Sequence, residues 1–99
     1  MDLMGKHVAI DVSHVVITHL FETKDLQEGR WTLIGEVKGE TPGVGLWLEQ
    51  FGVVTPDSKE IHSPMKDARL IRWEWIETMT VLADKPKSFV GIRPRLPSS

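Results

Sequence analysis

The segment Arg30-Trp31-Thr32-Leu33-Ile34-Gly35-Glu36-Val37-Lys38 constrains this chain more than any other. In an extended backbone, alternate side chains share a face. Trp31, Leu33 and Val37 then fall on one side, with Gly35 between them, and Thr32, Glu36 and Lys38 take the other. That is the period-two pattern of a half-buried strand. Strand-like stretches of similar length recur along the chain, separated by turn signals, so the expected class is mainly β.

Several stretches extend the pattern. His7 to Val12 reads as a short strand after a loose lead-in, and Val15 to Phe21 as a stronger one rich in β-branched residues. Residues 24–29 could hold one helical turn closed by Gly29. Pro42-Gly43 suits a type II turn, because proline fixes φ and glycine accepts a positive φ. Val44 to Glu49 resumes the extended pattern, and Phe51 to Thr55 continues it, with Gly52 marking a bulge or bend. A polar loop is expected from Pro56 to about Asp67, with Pro64 opposing regular structure in its middle. Residues 68–82 admit two readings. Ile71, Trp75, Thr78, Met79 and Leu82 fall at helical spacing, which would make the domain α+β. Leu70 to Trp73 and Thr78 to Leu82 are instead rich in strand formers, and a tight turn over Trp73 to Ile76 would join them. The second reading is preferred. It completes a small antiparallel barrel of five or six strands with SH3-like or Sm-like geometry.

The 99 residues suit one domain, 1–99, ending in a basic, proline-containing tail at 84–99. The tail could hold an edge strand at 88–92. No stretch approaches the roughly 20 apolar residues that span a bilayer, so no membrane partner is expected. Asp2 and the lack of a following apolar run argue against a secretory signal. Cysteine is absent, which removes disulfides, thiolate catalysis and cysteine-based zinc sites, and fits a reducing cytoplasm. Residues 1–79 carry 8 Lys or Arg against 13 Asp or Glu, a balance of −5, and residues 80–99 carry 4 against 1, a balance of +3. An acidic body with a basic end could bind itself or a neighbour electrostatically.

No catalytic signature emerges. His7, His14, His19 and His62 have no metalloprotease spacing, and a zinc site would need three or four of them to converge by tertiary chance. Ser58, Ser63, His62, Asp57 and Asp67 could be drawn as a triad, as any polar loop could. The glycines of 39–45 match neither a dinucleotide nor a phosphate-loop fingerprint. No cofactor is expected. An enzyme using His62 or His14 with a nearby Asp is the least favoured class.

The four tryptophans are the better functional clue. Trp31 and Trp47 are expected in the core. Trp73 and Trp75 are flanked by Arg72, Glu74 and Glu77, and at least one of them should line a surface groove or an oligomer contact. The preferred reading is a non-enzymatic protein-interaction or assembly module, with a homo-oligomer as one form of it, that docks through Trp73, Trp75, Arg72 and Glu74. The alternative is a small RNA- or DNA-binding barrel using Arg69, Arg72, Arg93 and Arg95 around the same rings. The acidic total weakens that alternative, since nonspecific nucleic-acid affinity comes from phosphate neutralisation.

Overall fold

The computed structural model describes residues 3–21 and 26–83. These form β1 (His7–Ser13), α1 (His14–Phe21), β2 (Arg30–Thr41), β3 (Gly45–Val54), β4 (Glu60–His62), β5 (Arg69–Arg72), a 3-10 turn (Trp73–Trp75) and β6 (Thr78–Leu82). All pairings are antiparallel. The sheet runs β4-β3-β2-β1-β6, and β5 joins the first half of β3 on the edge whose second half carries β4. β5 and β6 pair with β3 and β1, not with each other, so the sheet curls without closing into a barrel. None of the described helices is long and apolar enough to cross a membrane.

The β2 pattern sets the main core. Trp31, Leu33 and Val37 meet Val8, Ile10 and Val12 of β1, Leu46, Leu48 and Val53 of β3, and Ile71 of β5. Burying each aliphatic side chain of this kind contributes about 1.5–3 kcal/mol. The opposite, outer face of the sheet is not simply polar. Ala9, Ile34 and Val54 form a second buried cluster there, with Phe51 and Leu82 against it. Two register shifts between β2 and β3, at Ile34/Gly35 and Val37/Gly39, add local twist, and the first leaves Phe51 as the extra residue beside Gly52.

The turn at Pro42-Gly43 forms as its sequence requires: Gly43 has φ +77°, and the Val44 amide donates to the Thr41 carbonyl at 3.0 Å. Gly45, just beyond, is needed for a different reason. A Cβ there would press on the Ile71 carbonyl and lie 2.8 Å from Arg72 Cα, so only glycine lets β5 approach β3 this closely.

The strand-turn-strand reading of 68–82 matches the structure, and the helical one does not. Two other expectations are corrected. Val15 to Phe21 is helical: Ser13 turns the chain, the Val16 amide reaches its hydroxyl at 3.5 Å, and Thr18 donates to the His14 carbonyl at 2.9 Å. Burying Ile17 completely in the main core outweighs the strand preference of the β-branched residues. The loop after Pro56 contains the short strand β4, which pairs Glu60, Ile61 and His62 with Val54, Val53 and Gly52. The edge strand at 88–92 and residues 24–25 of the proposed helical turn fall outside the described residues; residues 26–29 of that turn are described and are irregular, ending in a bend with Gly29 at φ +124° rather than a helical turn.

Candidate functional site

The 3-10 turn is held from three sides. The Trp73 amide donates to the Val44 carbonyl at 3.0 Å, anchoring the turn to the start of β3. The Ile76 amide closes it on the Trp73 carbonyl at 3.2 Å, and the Glu77 amide donates to the Asp11 carbonyl at 2.8 Å, which registers β6 on β1. Both indoles are half-buried and pack against the main core, with part of each ring left to solvent. Arg72 Nε donates to Glu74 Oε1, an exposed ion pair across the turn.

Helix α1 supplies the second half of this surface. His19 meets the Trp75 ring edge-to-face, with centroids 5.5 Å apart and planes at 69°. Val15, one helical turn before His19, is 64% exposed. Arg69 donates to the Leu20 carbonyl near the end of α1 and lies over the Phe21 ring at 5.7 Å. A cation there satisfies a carbonyl without an intrahelical partner and opposes the negative end of the helix dipole. His19 thus joins the exposed side of α1, with Val15, to Trp75, while Arg72, Trp73 and Glu74 lie on the same 3-10 turn.

The four residues expected to bind a protein are therefore brought together. Arg69 and Arg72, expected on the alternative reading to bind nucleic acid, each hold an intramolecular partner, whereas Arg93 and Arg95 lie outside the described residues. Trp31 is buried as expected, its indole N–H donating to the Gln27 carbonyl at 2.8 Å. Trp47 is not a core residue: it is 39% exposed, and its indole donates to the Thr41 hydroxyl at 3.0 Å. Its neighbours Leu46 and Leu48 face the main core, so alternation puts Trp47 on the outer face.

The histidines are dispersed. Among the described residues no group of three His, Asp or Glu side chains could hold a metal ion. His7 stacks against Phe51 at 5.7 Å, and His62 is exposed on β4. The Asp57 carboxylate receives the Thr55 hydroxyl and lies 3.7 Å from Lys59 Nζ. The Thr55 hydrogen bond holds its pKa below the usual value, with Lys59 adding attraction. A cavity of about 70 Å³ lined by Leu3, Met4, Val37, Gly39, Glu40 and Leu46 is small beside the roughly 300–1,000 Å³ of ordinary ligand pockets.

Sequence reasoning missed one constellation. Asp11, in the middle of β1, is 3% exposed. Its Oδ1 accepts the Thr32 hydroxyl at 2.5 Å, its Oδ2 accepts the Thr78 hydroxyl at 2.6 Å, and Arg30 Nη1 lies 4.0 Å away. Arg30 also faces Glu77 at 3.5 Å. The sequence signal was a carboxylate inside an apolar strand, which needs donors wherever it is buried. This network joins β2, β1 and β6 directly behind the 3-10 turn.

No protein-family model matches this chain, and no curated protein or solved structure matches it either.

Proposed function

We propose that this chain is a non-enzymatic interaction module that docks a protein partner on the patch formed by the 3-10 turn and α1. The observation that carries the reading is the pair of half-exposed indoles on a turn fixed to β3 and β1, one of them packed against an exposed histidine. Large rings that are already held in place lose little conformational freedom on binding, which is why tryptophan dominates the centres of interfaces. Arg72 and Glu74 supply polar contacts at the border.

The curl of the sheet and the 3-10 link between β5 and β6 support the finer description, a small barrel of SH3-like or Sm-like geometry. The cysteine-free composition supports a cytoplasmic setting. Self-association is a second form of the same reading, because β6 is paired through one edge only among the described residues.

Site-specific photo-crosslinking from position 74 in the native cell tests the proposal. The expected result is one discrete protein adduct, absent when Trp75→Ala is introduced and absent from a control with the crosslinker at Ile61. An adduct of twice the chain mass identifies a second copy as the partner. A nucleic-acid adduct, or none, overturns the reading.

A further inference from the structure

The two edges of the sheet differ among the described residues. On one side β3 is covered by β5 along its first half and by β4 along its second. The covering strands are short and charged: β5 begins and ends on Arg69 and Arg72, and β4 is three residues with Glu60 and His62 at its ends. Strands of that kind discourage further pairing. On the other side lies β6, Thr78-Met79-Thr80-Val81-Leu82, which among the described residues pairs with β1 alone. It contains no charge, proline or glycine, and its register on β1 runs without a bulge. In an antiparallel pair, alternate residues turn their N–H and C=O groups to the neighbour, and the residues between aim theirs at the open side. The side chains are open too. Val81 is 48% exposed, and Thr78 and Thr80 are exposed beside it.

We infer that β6 is a self-pairing edge: two copies of this chain join their sheets antiparallel through β6, about a two-fold axis at Thr80. This deepens the self-association described above and is separate from docking at the indoles. The register follows from the faces. Met79 and Val81 stand opposite Ile10 and Val8, whose side chains belong to the main core, and Thr80 stands opposite Ala9 of the outer cluster. Directly opposed residues share a face. An axis at Thr80 therefore sets the core side of one copy beside the core side of the other, and it is the centre that pairs all five residues of the strand. Val81 then lies opposite the partner's Met79, Thr80 opposite the partner's Thr80, and Thr78 opposite the partner's Leu82. Self-complementarity of this kind is what a second copy requires. The half-exposed Val81 gains an apolar neighbour, and the outward backbone groups gain hydrogen-bond partners. No charge of the strand is buried, and Glu77, just before it, already faces Arg30 at 3.5 Å. A net charge of −2 leaves little repulsion between copies. A ladder this short makes a weak dimer that dissociates on dilution.

The absence of cysteine allows a direct test on the full chain. Thr80→Cys brings two thiols together across the axis, within reach of a disulfide. Under mild oxidation its dimer should form at least about tenfold faster than that of Ile61→Cys, an exposed position on β4. Sedimentation velocity should show wild-type monomer giving way to dimer as concentration rises. Val81→Lys, with a melting curve matching the wild type, should raise the dimer dissociation constant at least about tenfold. Trp75→Ala should leave that constant unchanged, and Val81→Lys should leave an adduct from position 74 to another protein unchanged, so failure at one surface is distinguishable from failure at the other. A wild type that stays monomeric at every concentration overturns the inference, whether hydrogen exchange finds the β6 amides protected within one chain or open to solvent. So does Thr80→Cys oxidising no faster than Ile61→Cys, or a dimer lost on Trp75→Ala and kept on Val81→Lys.

Discussion

Replacing Asp11 with alanine removes the acceptor that ties β1 to β2 and β6. The Thr32 bond is buried and counts in full, at about 1.5–3 kcal/mol for a hydrogen bond to a charged group. The Thr78 bond counts for less, because Thr78 is exposed and rehydrates when released. Together they give a loss of about 3 kcal/mol. A chain of this length has a total stability of roughly 5–15 kcal/mol, so the loss is a large share of it. In a thermal melt the midpoint should fall by about 12–24 °C, at roughly 4–8 °C per kcal/mol. Asp11→Asn keeps one carbonyl acceptor and offers its amide to the second hydroxyl, so it should lose about half as much. Urea denaturation of both variants, with a double-mutant cycle against Thr32→Val, measures the pair directly. A cycle coupling below about 0.5 kcal/mol, or a loss under about 1 kcal/mol for the alanine variant, would refute the assignment of Asp11 as the staple behind the 3-10 turn.

Other consequences can be checked with the same instruments. Gly45→Ala forces a methyl group against the Ile71 carbonyl, and equilibrium unfolding should show a loss of at least about 3 kcal/mol because backbone cannot yield as a side chain does. Ile71→Ala empties a site that is 2% exposed and should cost about 2–5 kcal/mol in urea titration; a loss below about 1 kcal/mol contradicts the core described for β5. Asp57 has a folded pKa below its unfolded one through the Thr55 hydrogen bond, so its contribution is present above the unfolded value and fades as the pH falls through the folded value. A carboxyl titration by nuclear magnetic resonance should place the Asp57 midpoint lower in the native protein than in Thr55→Val, and equal midpoints would remove that cause.

The legible parts of this fold are those governed by local rules. Pro42-Gly43 announced its turn because proline and glycine each supply the φ that position requires. Trp31, Leu33 and Val37 announced the core face of β2 because alternation needs no tertiary information. Val15 to Phe21 misled because its strand-forming side chains are overruled by the burial of Ile17, a contact made with residues distant in the chain. Trp47 misled because size suggests a core residue, whereas its position between Leu46 and Leu48 fixes the outward direction. At the site, Trp73, Trp75, Arg72 and Glu74 were legible as neighbours in sequence. His19 and Arg69 were not linked to those rings through α1, because that link depends on how the helix seats on the sheet. The Asp11 network needed the strand register before its two threonines could be seen as partners.

The central claim is that the Trp73–Trp75 turn is a docking surface for protein. Its most direct test is the affinity of the partner captured at position 74 for the wild type, Trp75→Ala and Arg72→Glu, each measured at low and physiological salt after melting curves confirm folding. The account predicts a loss of at least about 30-fold for Trp75→Ala, the roughly 2 kcal/mol of a central interface residue, and a shallow salt dependence throughout. Wild-type affinity for Trp75→Ala, with binding that collapses on Arg72→Glu and falls steeply as salt rises, would contradict it.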